Sequence, residues 1–236
     1  MAAKLRSSLA SLLRYMKGGN GFNFQCRIPA SHFAGNPEEK GMSASTRAKR
    51  SAFDHVIGSI NDKARFPEQV FRGRWDAFLF FESDHLFAAD FSARTADLLN
   101  AEQAEVCCLL NFSETATMTY DSAAMRFITA DTSSQNYDAM LRQGGAAQGW
   151  LFGVDRYGCS SDRGGWSIYC EKQNDIAVIA LREPDDKNKY ATFLKQTYAL
   201  PITELLEPGA AVAIWFKQMR ESWRRGLTLH YSGSRT

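Results

Sequence analysis

At 236 residues, 44% hydrophobic and 23% charged, the chain is long enough for one large domain or two small ones and has the make-up of an ordinary globular protein. Its five Cys are odd in number with no CxxC, and its apolar runs, such as residues 176–181, are far shorter than a membrane span. A disulfide framework and a membrane span are therefore excluded, and reduced thiols in a cytoplasmic setting are expected. Net charge is +2 but unevenly spread: residues 1–74 hold 13 Lys+Arg against 5 Asp+Glu, residues 75–216 hold 10 against 20, and residues 217–236 hold 5 against 1.

The start, "MAAKLRSSLASLLRYMKGG", lacks the uninterrupted apolar core of a secretory signal. Leu5, Leu9, Leu12, Leu13 and Met16 fall on one helical face, which predicts an amphipathic first helix. The Ser, Ala and Arg content, with no acid before Glu38, also suits a mitochondrial transit peptide. The glycines of "KGGNGF" follow this helix, as a C-cap would, and do not open one as a phosphate cradle would. Ser43 or Ser45 then caps a predicted helix carrying Phe53, Val56, Ile57 and Ile60.

Residues 74–91, dense in aromatics, predict two strands about Ser83-Asp84-His85. A helix is expected through residues 95–112, with Leu98, Leu99, Val106, Leu109 and Leu110 as its apolar side. Residues 115–131 alternate about Asp121-Ser122 and predict a hairpin, and residues 133–145 a short capped helix ending at Gly144-Gly145. Residues 150–154 are expected to be a strand, and the Gly- and Ser-rich "DRYGCSSDRGG" that follows an exposed loop. "WSIYCEK" and "IAVIALRE" predict paired antiparallel strands about Gln173-Asn174-Asp175. The second is apolar on both faces, so it should be central and covered on both sides.

A helix capped by Asp185 or Asp186 is expected to bury Tyr190, Phe193, Leu194 and Tyr198. A last helix should enter at Pro208 and end at Gly226, and "LTLHYS" adds an edge strand. Trp75 and Trp166 open similar strand–strand–helix runs, with Glu82 and Glu171 near their turns. This raises an internal ββα duplication, with sub-units 1–112 and 113–236, as the alternative to a chance likeness. The expected fold is α+β, one domain over 1–236 with a mixed or antiparallel sheet flanked by helices.

Catalytic signals are sparse. A nucleophilic Cys159 needs a base close in space, and nothing selects among His32, His55, His85 and His230. Ligands at metal-binding spacing are missing, as are a P-loop, a GxSxG and a GxGxxG after a strand, so no metal or cofactor is expected. An enzyme of unrecognised class ranks third among the functions considered.

Basic segments carry a second reading. Arg47, Lys49 and Arg50, with Arg220, Arg224 and Arg225 beside Trp223, could contact phosphates and stack on bases, which would make this a nucleic-acid-associated protein. The acidic middle carries the first. Asp84, Asp90, Asp155, Asp162, Glu171 and Asp175 are its expected exposed contributors, and such a surface suits a basic protein partner.

One stretch also resembles a known family. Phe152-Gly153, Asp155, Gly158, the strands from Trp166 and Ile176, and "ATFL" at 191–194 look like the C-terminal half of bacterial immunity proteins of the SUKH class. The resemblance implies a non-catalytic α+β protein that binds and blocks a toxin from a rival cell. A nuclease-type toxin, basic because it grips phosphates, would meet the acidic surface.

Overall fold

Residues 42–113, 119–121, 123–145, 149–207 and 219–233 are described by the computed structural model. The helix expected at 5–16 and the entry at Pro208 lie outside them. Six strands make one sheet: β1 (Ala77–Glu82), β2 (Val106–Asn111), β3 (Met125–Thr129), β4 (Arg156–Ser161), β5 (Trp166–Glu171) and β6 (Ile176–Leu181). The order is β1-β6-β5-β4-β2-β3, and every neighbouring pair is antiparallel. The α-helices among the described residues include α1 (Ala44–Ser59), α2 (Asp84–Phe87), α3 (Phe91–Glu102), α4 (Ser134–Arg142), α5 (Trp150–Gly153), α6 (Asp186–Lys189), α7 (Ala191–Gln196), α8 (Ile202–Leu205) and α9 (Glu221–Tyr231). The fold is α+β, with an antiparallel sheet between two helical layers.

Strand β6 sits between β1 and β5, and all six of its residues are buried. Ile176, Val178 and Ala180 face one core with α1, residues 60–75, α8 and α9. Ala177, Ile179 and Leu181 face the other with α2, α3, α4, α5 and α7. A strand covered on both faces needs apolar residues at every position, and "IAVIAL" supplies them.

The helix ends follow capping chemistry. Ser43 Oγ accepts from Thr46 N at 3.2 Å and Ser133 Oγ from Asn136 N at 3.2 Å. Helix α4 stops at Arg142, before Gly144 and Gly145, whose φ values of 99° and 67° suit glycine.

Several expected elements differ. Only one strand forms in 74–91: after Glu82, Ser83 turns the chain into α2, which drives Leu86 into the core. Without a second strand there, the duplication is not shown. Strands from both sides of residue 112 also share the one sheet, with β4, β5 and β6 lying between β1 and β2. The helix predicted to run to 112 ends at Glu102, where Gln103 takes a left-handed cap (φ 56°), and Val106–Asn111 is a fully buried strand. Its apolar residues lie at helical spacing from Leu98 and Leu99 by chance, because a strand buried on both faces has no alternation to betray it.

The predicted strand at 150–154 is helix α5, closed by the bond from Val154 N to Trp150 O. In the 115–131 hairpin only β3 is seen, and it pairs with β2; residues 114–118 and 122 lie outside the described set. The helix after Asp185 breaks at Tyr190 into α6 and α7.

Gly226 does not end a helix, and "LTLHYS" is not a strand. Helix α9 runs through both, because a Cβ at Gly226 would sit 2.8 Å from Pro67 Cβ, so glycine lets the helix lie against that loop. Leu227 and Tyr231, one turn apart, are its buried anchors.

The "DRYGCSSDRGG" connector is the largest correction. Arg156–Ser161 is β4, buried at every position and paired on both sides. Small residues here serve packing. A Cβ on Gly158 would clash with Phe112 and lie 2.6 Å from Ile60 Cδ1 and 3.0 Å from Val56 Cγ1, so glycine lets α1 lie close over the strand.

Candidate partner-binding site

At the C-terminal end of β1 the chain builds a cavity of about 360 Å³. Phe80, Phe81 and Glu82 come from β1, His85 from α2, Thr197 and Tyr198 from the end of α7, and Leu205 from α8. The pieces are held by backbone pairing: Phe80 N donates to Leu200 O at 2.7 Å and Leu200 N to Phe80 O at 3.0 Å. Tyr198 sits at the rim with a left-handed backbone (φ 52°) and 66% of its surface exposed. The expectation that it lies on the buried, apolar side of its helix is therefore overturned: the chain turns off α7 at Thr197, and the ring is left in solvent. Thr197 turns its hydroxyl back to Phe193 O at 2.9 Å, so the polar groups offered by the described walls are chiefly Glu82 and His85.

Among the described residues, carboxylates predominate at this end. Asp84 follows β1, and the turn before β6 brings Asp175 beside it, with Ser83 N donating to Asp175 O at 3.2 Å. Partial burial first, then Asp84 and Glu82, push the Asp175 carboxyl above its ordinary range. Asp90, on the approach to α3, pairs with Arg94 at 2.7 Å. The same arginine donates to His85 Nδ1, which must therefore be the acceptor nitrogen and leaves Nε2 carrying the proton. Burial, and secondarily Arg94, lower the His85 pKa, so it is neutral at pH 7.

Three of the six sequence-predicted acids, Asp84, Asp90 and Asp175, thus gather around one cavity and are exposed. The other three work within the fold. Glu171 was expected on the surface and is buried at 2% exposure; its Oε1 accepts from Phe66 N at 2.8 Å and Tyr169 Oη at 2.9 Å, and its Oε2 from Asn174 Nδ2 at 2.5 Å. The last residues of β5 pin it inward because Tyr169 and Glu171 share one face of the strand. Asp162, half-buried, accepts from Glu105 N at 2.9 Å and Val106 N at 3.2 Å and ties the start of β2. Asp155, also half-buried, accepts from Gln173 N at 3.0 Å and faces Arg65 at 3.7 Å.

The basic residues lie on two helices that pack against the same core, α1 and α9. On α1, Lys49 Nζ lies 5.6 Å from the centroid of the Phe127 ring and the Arg50 guanidinium 5.0 Å from that of Tyr120, while Arg47 is exposed. On α9, Arg225 pairs with Glu221 at 2.9 Å, Arg224 Nε donates to Met219 O at 3.1 Å, and Arg220 is exposed. Trp223 packs partly against the core.

Cys159 is fully buried, and burial first, then Cys107, raises its thiol well above the ordinary value, so it is no accessible nucleophile. Cys107, Cys108, Cys159 and Cys170 are all free and buried. Among the described residues no group of three or more His, Cys, Asp or Glu could hold a metal, and no helix is long and apolar enough to cross a membrane. Sequence reading missed Glu82, His85, Tyr198 and Leu205 as one site, since they come from four elements and share no motif. Of the residues that carry the SUKH resemblance, Phe152-Gly153 lie in α5 and Gly158 in β4. Comparison with family models, with curated proteins and with solved structures finds no match for this chain.

Proposed function

We propose that this is a non-catalytic binding protein that docks a basic protein partner on the acidic end of its sheet. In its most specific form it is a cytoplasmic immunity protein that neutralises a nuclease-type toxin. The observation that carries this is the placement of Glu82, Asp84 and Asp175 together beside an apolar cavity, where burial first and the neighbouring carboxylates second raise the Asp175 carboxyl. Like charges held together destabilise the isolated fold, and a cationic partner relieves the repulsion. A charged rim around an apolar pocket is also how protein interfaces place their energetic centre. The placement of the basic residues adds support, because Arg225 and Arg50 already have carboxylate partners, Glu221 and Asp54.

The test is inhibition of a panel of purified basic nuclease domains at equimolar protein. The reading expects one-to-one inhibition of a member, with an association rate that falls as salt rises. Binding to random-sequence duplex DNA at physiological salt, with a steep salt slope, would replace it with the nucleic-acid reading.

A further inference from the structure

We infer that the cavity under Tyr198 receives one arginine side chain of the basic partner, its methylenes against Phe80, Phe81 and Leu205 and its guanidinium at Glu82. This rests on the binding function proposed above and names the anchor at that site. At about 360 Å³ the cavity lies at the small end of ligand pockets, which suits a single long side chain and not a folded loop. Its described walls are apolar over most of their length, with one carboxylate at Glu82. That layout fits a side chain with an aliphatic stem and a charged tip. A carboxylate has about four acceptor positions, so Glu82 can take a two-pronged donor alongside its contacts within the fold.

Two further features favour guanidinium over ammonium. Tyr198 places an exposed aromatic ring at the cavity, and a planar, weakly hydrated cation stacks on such a ring and sheds water readily. His85 presents no positive charge: its Nδ1 is occupied by Arg94, whose own charge is met by Asp90. Among the described residues the charged groups around His85 are Arg94 and Asp90 from the α3 side, Glu82 from β1 and Asp84 on its own helix, three carboxylates to one guanidinium.

The probe is Nα-acetyl-L-arginine amide, followed by NMR shifts of the His85, Thr197 and Tyr198 signals in the intact chain. The neutral isostere Nα-acetyl-L-citrulline amide and the lysine amide serve as comparisons. The expected result is saturable shifts at these three residues, at least tenfold weaker binding of the citrulline amide, and weaker binding of the lysine amide. Glu82→Gln should weaken the arginine amide at least fivefold, and so should Tyr198→Gly, which removes the ring at an exposed position where the backbone already has φ 52°. Thermal melts of both variants verify that they fold. Equal binding of arginine and citrulline amides, tighter binding of lysine amide, or no shift at these residues would overturn the inference. A negative result here beside intact nuclease inhibition would remove the arginine anchor alone, whereas loss of inhibition beside a positive result would remove the proposed function.

Discussion

Glu171→Ala separates a residue that builds the fold from one that faces a partner. Removal of the carboxylate takes the acceptor from Phe66 N and Tyr169 Oη, both buried, and from Asn174 Nδ2. Asn174 is half-exposed and can turn to water. The other two cannot, and each buried donor left unpaired costs about 1–3 kcal/mol. The variant should therefore lose roughly 2–6 kcal/mol. At about 2–4 °C per kcal/mol for a domain of this size, a loss near the lower middle of that range lowers Tm by roughly 6–12 °C. Glu171→Gln keeps an oxygen where Oε1 accepts both buried donors, and Asn174 can rotate its amide to match the new NH₂. It should cost only about 1 kcal/mol. The assay is urea unfolding followed by near-ultraviolet circular dichroism. A loss below about 0.5 kcal/mol in Glu171→Ala, the level of an ordinary surface change, would refute the reasoning.

Gly158→Ala should destabilise by about 1–3 kcal/mol, read from the same unfolding curves, because the new methyl meets the Phe112 ring and Ile60 below α1. Val178→Asp should abolish soluble expression, since it buries an unpaired charge in the strand covered on both faces. For His85 the folded pKa is lowered below 6.5, so the folded state binds fewer protons than the unfolded one across that window. Stability is full above pH 6.5 and falls as pH drops through the folded pKa, and His85→Gln should flatten this part of a stability–pH profile measured from pH 8 to pH 5.

Legibility in the sequence followed whether a local signal had one physical meaning. A capped start was readable at Ser43 or Ser45 and again in the helix of 133–145, because a hydroxyl just ahead of an apolar-periodic run can accept from the first helical turn; the structure selects Ser43 and Ser133. "IAVIAL" was readable because no polar position survives in a strand buried on both faces. "RYGCSS" misled because Gly and Ser mark loops by composition, whereas here their small size admits a helix, and that depends on Phe112 and Val56 far away in the chain. "VCCLLN" misled because its spacing matches a helix by accident. In the candidate site, charge gave Asp84, Asp90 and Asp175, yet could not separate them from Glu171, whose partners Phe66 and Tyr169 are set by tertiary pairing. Tyr198 was hidden because its exposure depends on a left-handed turn after Thr197 that the sequence does not announce.

The central claim, that the acidic end of the sheet meets a basic partner, is tested most directly by two charge-reversal variants measured on the same inhibited nuclease and on random-sequence duplex DNA at physiological salt. Asp84→Lys with Asp175→Lys reverses exposed charges at the cavity; Arg220→Glu, Arg224→Glu and Arg225→Glu reverses the end of the chain. The account predicts that the acidic double slows association with the nuclease at least tenfold, more at low salt, while the basic triple leaves it within about twofold. Unchanged nuclease binding in the acidic double, together with DNA binding by the parent chain that vanishes in the basic triple, would contradict it.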